Sequence, residues 1–381
     1  MLELFVLSLI FIIFPFTIYP ACLLFAGIFI NKKVIKHEIT PSVGFMIAAY
    51  NEEKAMVNKI ENTLALDYPK DMIEIIVVSD GSTDRTDEIV RSYGHAGVKL
   101  FRVEGRLGKT EARNQAVAKN KNEIICFSDA TTYYHPQALR YLVQSFADPL
   151  VGQVSGSLHY QSTKTGVTGI ATRFYWWLEN IIKKCQTGLG TLTGATGCIN
   201  AFRRLFYTPL PAHIIEDFTQ PLIFVIKGFR VVFEERAIAY EETTQNISQE
   251  FQMRVRVIRG GITGLLYARQ ILNPLRYPWP AFQLIGHKVI RWLTPVFILL
   301  SFGSAIELFA RYPHSWPYQL PFYLSLLFVT VAALAFLLNK KEIPTKVGSI
   351  ILYFLTLSAA SLVAIIKSFT TPLPPTWRPQ R

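Results

Sequence analysis

Short apolar runs alternate with amphipathic segments through the first half of the chain. The apolar runs are rich in isoleucine, valine and phenylalanine and lie at residues 43–49, 74–79, 98–103 and 123–128. A stretch with helical periodicity follows each run, ending near residues 66, 93, 119 and 146. Strand and helix alternating at this spacing predict an α/β fold with a mostly parallel sheet, right-handed crossovers and helices on both faces.

Polar side chains stand where these apolar runs end. Asp129 closes the run of Ile124 to Phe127, and carboxylates also follow the first two strands. The third strand leads into a glycine-rich loop that carries Arg106 and Lys109. The carboxyl ends of parallel strands meet at one crevice, where ligands bind in open α/β sheets. The pattern predicts a nucleotide site there, although Asp129 alone could also be a helix cap.

Four further stretches are long and apolar enough to cross a bilayer, which takes roughly 20 residues per helix. They lie at residues 2–30, 289–310, 318–338 and 347–366. The first has no basic region ahead of it and no evident cleavage site, which favours a retained anchor over a signal peptide. The predicted organisation is an anchor (1–31), a catalytic domain (38–262), an interfacial amphipathic segment (263–288), membrane helices (289–368) and a tail (369–381).

Charge placement predicts the orientation of these segments. The 381 residues carry a formal net charge of +12 and a mean hydropathy of +0.27, and basic clusters flank the apolar stretches. Basic flanks favour the cytoplasm, so we expect a plasma or inner membrane protein with a cytosolic catalytic domain and, by parity, both termini outside. Charge at membrane boundaries indicates anionic lipid rather than nucleic acid as the partner. The four cysteines lack metal-site or disulfide spacing, which suits a reduced cytosol.

The pattern changes beyond residue 151. Residues 168–184 have the periodicity of an amphipathic helix that contains Trp177 and Glu179. Glu216 and Asp217 stand at the start of another predicted helix, where an aspartate is usually a cap. The segment 249–261 is rich in arginine, which indicates either phosphate contacts or a basic face on lipid headgroups.

Five motifs, in this order and spacing, resemble glycosyltransferase family 2, in the membrane-embedded branch that contains hyaluronan, chitin and cellulose synthases. The motifs are Ala49-Tyr50-Asn51-Glu52-Glu53, Ser79-Asp80-Gly81-Ser82-Thr83-Asp84, Gly108-Lys109 with Asn114, Ser128-Asp129-Ala130, and Glu216-Asp217. The resemblance runs from about residue 41 to residue 261 and includes the flanking membrane helices. It implies a GT-A-like fold.

The resemblance also implies roles for individual residues. Asp217 matches the catalytic base of an inverting transfer, and Asp129 matches the first acid of the motif that touches ribose and a divalent metal, Mg²⁺ or Mn²⁺. Glu216, Trp177 and Glu179 are the candidate acceptor contacts. The candidate contacts to a nucleotide-sugar, expected to be a UDP-sugar, are Tyr50, Glu52, Asp80, Lys109, Asp129, Arg254 and Arg256.

Two departures from the family pattern change these expectations. Thr131 stands where the second acid of the metal motif belongs, which weakens the expectation of a metal. The segment around Arg254 lacks the tryptophan of the motif that marks processive synthases. Its absence weakens the case for a polymer product.

The leading hypothesis is an inverting, membrane-bound glycosyltransferase of the hexosyl or N-acetylhexosaminyl type. It would extend a growing polysaccharide or a lipid-linked acceptor in cell-envelope or exopolysaccharide synthesis. The first alternative is a transferase that adds one sugar to a membrane lipid. The second is a non-catalytic membrane protein that binds nucleotide. Three C-terminal membrane helices make a small bundle for a sugar channel in a monomer. A pore formed by an oligomer is therefore a further alternative.

Overall fold

The computed structural model describes residues 1–161, 167–242, 247–341, 343 and 345–376, with side chains for all of these except 167–174 and 247. Residues 377–381 of the predicted tail lie outside the described residues. The strands are β1 Val43–Ala49, β2 Ile73–Ser79, β3 Lys99–Arg102, β4 Ile124–Asp129, β5 Tyr133–Tyr134, β6 Val151–Gln161, β7 Ile199–Arg203 and β8 Arg230–Glu242.

Helices connect the strands and form both ends of the chain. Those before β4 are α1 Leu2–Ile13, α2 Tyr19–Phe29, α3 Glu53–Leu64, α4 Thr86–Ser92 and α5 Lys109–Lys119. Those between β5 and the membrane region are α6 Ala138–Gln144, α7 Val167–Leu189, α8 Glu216–Ile226 and α9 Ile247–Tyr267. The remainder are α10 Pro278–Leu284, α11 Ile290–Arg311, α12 Trp316–Lys340 and α13 Lys346–Thr370.

One sheet organises the described part of the catalytic domain, with eight strands in the order β3-β2-β1-β4-β7-β6-β8-β5. The four predicted strands pair in parallel, β3 with β2, β2 with β1, and β1 with β4. Strand β7 runs antiparallel to both β4 and β6, and β8 pairs parallel with β6. The predicted α/β class is confirmed, while the half of the sheet beyond β4 is mixed rather than parallel.

Successive residues of the central strands pack into different cores, because side chains alternate across a strand. Phe45 belongs to a core with Met56 and Ile60 of α3, whereas its neighbour Met46 packs with Ala112 of α5. The second core also contains Leu222 of α8. Helices therefore cover both faces of the sheet, as predicted, which explains the unbroken apolar runs.

Four helical segments of the described chain are long and apolar enough to cross a membrane, one N-terminal and three C-terminal, as the sequence predicts. The second begins at Pro278, ahead of the predicted start at residue 289, because α10 continues into α11 through a π-helical turn. Helices α1 and α11 pack through Phe5, Ala305 and Leu308. The interfacial character predicted for residues 263–288 stays a prediction.

The last of these segments, α13, packs along the catalytic domain. Near its start, the Tyr353 hydroxyl donates to Glu250 of α9 over 2.9 Å. Further along, Ala360 and Ala364 pack against Val255 and Ile258, also of α9. Helix α13 therefore follows α9 with the same chain direction, toward the edge of the sheet where the predicted site lies.

The chain beyond α13 also lies on the catalytic domain. Arg259 of α9 donates from Nη2 to the carbonyl oxygens of Thr371 (2.7 Å) and Pro372 (3.2 Å). Residues in direct contact lie on the same side of a membrane, so this contact favours a C-terminal segment on the side of the catalytic domain. The sequence predicts the opposite side, because it counts α13 as a crossing, and α13 is one of the helices long and apolar enough to span. The side on which the C-terminus lies stays a prediction.

We expect a cysteine at Thr376 to be labelled from the same side of the membrane as a cysteine at Lys121 of the catalytic domain. A cysteine at His314, between α11 and α12, should react only from the opposite side. The measurement is labelling with a membrane-impermeant maleimide in sealed vesicles, after replacing Cys22 and Cys185 with serine. Labelling of the Thr376→Cys and His314→Cys variants from one common side would contradict this arrangement.

Candidate active site

The parallel register brings the predicted acidic residues to one edge of the sheet. Ala49 of β1 is level with Ser79 of β2, and Ala48 is level with Asp129 of β4. Asp80 directly follows β2. The end of each strand therefore delivers its polar group into the same crevice, as expected for a ligand site in this type of sheet.

Asp80 holds the glycine-rich loop that follows β3. Its carboxylate accepts hydrogen bonds from the backbone amides of Leu107 (2.8 Å) and Gly108 (3.0 Å). The neighbouring Gly81 has a φ of +69°, and a Cβ there would lie 2.1 Å from the Gly105 carbonyl oxygen. Glycine is therefore required at this position, both for the backbone conformation and for the close approach.

An aromatic and a basic side chain cover the same loop. The Tyr50 ring stacks under Arg106, whose guanidinium carbon lies 3.9 Å from the ring centroid. Glu52, two residues further along the chain, is buried and lines the same cavity. Sequence reasoning named Tyr50 and Glu52 for the nucleotide, whereas Arg106 was noted only as part of the loop.

A connected set of charges lies behind Asp129. Lys109 Nζ is 2.7 Å from Asp129 Oδ1, and Arg113 Nη2 is 3.0 Å from the same oxygen. Arg113 also pairs with Glu216 and donates to the Ser128 carbonyl oxygen over 2.9 Å. Arg113 is fully buried, so its guanidinium positions both carboxylates from inside the protein.

These partners affect the two carboxylates differently. Burial alone would raise the pKa of Asp129, but Lys109 and Arg113 hold it below its usual value. For Glu216, burial outweighs the attraction of Arg113, and the pKa is raised. Asp129, whose side chain is 31% exposed, is therefore an anion at the cavity surface, while Glu216 faces inward.

Asp217 lies at the start of α8, beside the loop that leads into β7. The cap position of α8 is Ile215, and no side chain caps the helix there, so the interpretation of Asp217 as a cap is not supported. A Cβ at Gly197 would come within 2.9 Å of Asp217 Oδ2. The small-residue loop therefore leaves room for the Asp217 carboxylate in the cavity.

The two predicted arginines of α9 face different surroundings. Arg254 is buried, with Nε 2.8 Å from Glu250 and Nη2 2.7 Å from the Tyr353 hydroxyl. Arg256 is half-buried and lines the cavity. Burial lowers the pKa of Arg256, while Asp217 and Asp129 oppose that effect. Arg256 is therefore placed near both acids, whereas Arg254 is engaged in an ion pair.

The predicted acceptor residues Glu179 and Trp177 also have different surroundings. Glu179 is buried, accepts from His287 over 3.0 Å and pairs with Arg291. Trp177 is 58% exposed and does not line the cavity, whereas its neighbour Trp176 does. The structure thus places Trp177 outside the site and Trp176 inside it.

One cavity of about 1620 Å³ connects these groups. One end contains Tyr50, Asp80 and Lys109, and Asp217 lines the same cavity. The other end is formed by α7, α11 and α13, where the membrane segments begin. All seven candidate nucleotide-sugar contacts line this cavity, as do Glu216, Asp217 and Glu179.

The C-terminal segment covers part of the cavity end that contains Asp80 and Lys109. A Cβ at Gly108 would lie 2.4 Å from the Pro375 carbonyl oxygen, and residues 373–376 line the cavity. Gly108 itself has a φ of +98°, which favours glycine. The sequence carries no local pattern from which this contact could be predicted.

Arg113 was missed by sequence reasoning, although one feature could have revealed it. It follows Lys109 by one helical turn and lies on the same helix as the buried Ala112 and Ala116. A charged residue among buried helix positions requires a buried partner.

Thr131, the departure in the metal motif, donates from its hydroxyl to Glu241 of β8 over 3.3 Å.

We expect Arg113→Met to lower the free energy of unfolding by about 3–5 kcal/mol, because it leaves the buried Glu216 without its cation partner. Arg85→Met is the matched control, since the exposed pair of Arg85 with Glu88 contributes at most about 1 kcal/mol. Denaturant unfolding of both variants in the same detergent measures the difference. An Arg113→Met protein as stable as the Arg85→Met protein would contradict the role assigned to the buried guanidinium.

Comparison with known proteins agrees with the geometry. The sequence profile of glycosyl transferase family 2 matches residues 45–208. The chain is 26% identical over 282 residues to the poly-β-1,6-N-acetyl-D-glucosamine synthase of Staphylococcus aureus strain COL, covering 72% of this chain and 68% of that protein. The Staphylococcus epidermidis enzyme of the same name is 24% identical over the same coverage.

A solved structure with the same fold extends over nearly the whole chain. It is a mannosyltransferase from Pyrobaculum calidifontis, determined in complex with GDP-mannose and Mn²⁺. The TM-score is 0.70 with 20% sequence identity, covering 96% of this chain and 99% of the other. At this identity the likeness concerns the fold, including the arrangement of the helices that flank the catalytic domain.

Proposed function

The chain is a glycosyltransferase with a family 2 catalytic domain, and from this premise we propose that it transfers a sugar, with inversion, from a UDP-sugar to an acceptor presented at the membrane. The acceptor is a growing polysaccharide or a lipid-linked molecule. One observation carries the proposal: Asp129, Lys109 and Asp217 line a single cavity that extends to the membrane helices.

The nucleotide occupies the end of the cavity at the strand tips. Tyr50 offers a ring for the base, and Asp80 and Glu52 offer carboxylate oxygens for hydroxyl or amide donors. Lys109 is the first residue of α5, so its ammonium group and the positive end of the helix lie together. Both favour the negative charge of the diphosphate.

Asp217 is the general base of the transfer. Its carboxylate takes the proton of the acceptor hydroxyl as that oxygen attacks the anomeric carbon of the donor. The bond from the anomeric carbon to the diphosphate oxygen breaks on the opposite face, and the nucleoside diphosphate leaves. Lys109 and Arg256 stabilise the charge that develops on the leaving group, as preorganised cations do.

The oxygen donors near Asp129 fit a hard divalent cation such as Mg²⁺ or Mn²⁺. The Asp129 carboxylate at the end of β4 and the hydroxyl of Thr131, which bonds Glu241 of β8, supply these oxygens. Mg²⁺ is commonly held by one or two carboxylates together with substrate phosphates. A bound cation would neutralise charge on the diphosphate, and Asp129 would hold it in exchange for part of its contact with Lys109.

The named relatives suggest the donor and the product. Because those relatives are poly-β-1,6-N-acetyl-D-glucosamine synthases, UDP-N-acetylglucosamine is the first donor to test and a polysaccharide the first product. Basic flanks of the membrane segments support a cytosolic catalytic domain, where nucleotide-sugars are available. The missing tryptophan near Arg254 keeps addition of a single sugar to a lipid as the second candidate.

We expect Asp217→Asn to lower the rate of UDP release by about 10²- to 10⁴-fold, because the amide cannot accept the hydroxyl proton. UDP affinity should not change. The assay uses purified protein in lipid nanodiscs with a panel of UDP-sugars and GDP-mannose, and Asp67→Asn, at a surface carboxylate, is the control. Native turnover in the Asp217→Asn protein would exclude this residue as the base, and absence of nucleotide binding would favour the non-catalytic alternative.

We expect Thr131→Asp to increase the stabilisation that Mn²⁺ gives to the protein. The new carboxylate would lie close to Glu241 and be repelled by it until a cation neutralises both. The readout is the midpoint temperature of unfolding with and without Mn²⁺, which needs no turnover. Asp129→Asn should reduce the Mn²⁺ effect, and equal shifts in all three proteins would overturn the proposed metal position.

A further inference from the structure

The membrane-facing end of the cavity is lined by a cluster of cations, namely Lys183 of α7 together with Lys288 and Arg291 at the start of the α11 segment. Glu179 is the carboxylate that the described residues place beside them. It pairs with Arg291 and lies 3.9 Å from Lys288. Among the described residues, Glu179 is therefore the carboxylate within 4 Å of both Lys288 and Arg291.

Several donors of the cluster lack an acceptor among the described residues. Nε and Nη2 of Arg291 are buried and have no hydrogen-bond partner. Lys183 donates to the Thr196 hydroxyl over 2.8 Å and lies near the Trp176 ring. Among the described residues, no ion pair within 4 Å involves its ammonium group. Buried donors without partners destabilise a protein, so the arrangement favours an anionic ligand.

Burial also affects the ionisation of Lys183 in this cluster. It lowers the pKa of Lys183 to about 8, although Glu179 acts in the opposite direction. A neutral glycan would leave this charge uncompensated, whereas a phosphate would neutralise it and satisfy the free guanidinium donors.

The cavity wall beyond the cations is apolar. Phe16 lies in the π-helical turn between α1 and α2, and its ring packs edge-on against Phe354 of α13 at 5.9 Å. Both rings, together with Leu357, line the cavity between candidate membrane helices. A ligand bound here would meet cations on one side and hydrocarbon-like surface on the other, which is the chemistry of a lipid with a charged headgroup.

We propose that this end of the cavity binds a membrane lipid with a phosphate in its headgroup. Lys183, Lys288 and Arg291 contact the phosphate, and the lipid chain lies along Phe16 and Phe354. The inference rests on the proposed transferase function and names the acceptor class: a phospholipid-linked acceptor whose hydroxyl reaches Asp217. The bonds formed and broken are those of the sugar transfer described above, and the phosphate itself is not altered.

The donor diphosphate does not account for this cluster. Lys109 and Arg256 serve the diphosphate beside Asp129, whereas Lys183, Lys288 and Arg291 surround Glu179 between α7 and α11. The cavity thus has a basic group for each of two anions, and Asp217 lines the same cavity.

The test compares farnesyl phosphate, farnesol and inorganic phosphate as probes for the full-length protein in a neutral detergent, with binding measured by native mass spectrometry. Farnesyl phosphate should bind, and Lys183→Gln and Lys288→Gln should each weaken binding about tenfold or more, since each removes a charge-assisted hydrogen bond. Lys184→Gln is the matched control, because Lys184 is the next residue of α7 but is exposed and pairs with Glu235.

Each other outcome overturns a defined part of the proposal. Equal binding of farnesol would show that the cations are not ligands, and equal binding of inorganic phosphate would assign the cluster to a free anion. Binding of neutral N-acetylglucosamine oligomers that is lost in the two variants, without farnesyl phosphate binding, would assign a glycan site. A UDP titration of every variant separates these results from failure of the transferase proposal, since the nucleotide end should be unaffected.

Discussion

The buried guanidinium of Arg113 is the contact on which the site depends. It joins Asp129 at the tip of β4 to Glu216 at the start of α8, and Asp217 follows directly. A buried cation needs a close carboxylate partner, and removing one member of such a pair is strongly destabilising. The positions of α5, β4 and α8 are therefore mutually constrained, and so are the donor-side acid and the proposed base. The chemistry of the site and the stability of its frame rely on the same ion pairs.

Charge is distributed along the cavity in a way that matches the proposed reaction. Lys109 and Arg256 lie near Asp129 at the proposed donor end, the Asp217 carboxylate lines the same cavity, and a second set of cations surrounds Glu179 at the membrane end. A sugar transfer from a diphosphate needs cations at the leaving group and a carboxylate at the attacking hydroxyl. The third group has no part in that chemistry, which is why it indicates the headgroup of the acceptor.

The membrane region completes the site as well as anchoring it. Helix α13 packs along α9, and the segment after it reaches Gly108 beside the donor end. Tyr353 of α13 bonds the Glu250–Arg254 pair, so Arg254, a predicted nucleotide-sugar contact that lines the cavity, is also held against this helix. Arg254 and Arg256 belong to the same predicted motif and are two residues apart, but their tertiary contacts differ.

Local pattern alone determined the first four strands, their helices, the apolar segments and the acids at the strand tips, because those features follow from backbone periodicity and burial. The mixed half of the sheet, the Arg113–Glu216 pair 103 residues apart and the return of the C-terminus to Gly108 were decided by tertiary packing. The neighbours Trp176 and Trp177 illustrate why local pattern was not sufficient, because only Trp176 lines the cavity. Neighbouring helix positions differ by about 100° in direction, and only the packing of α7 sets which one faces the cavity.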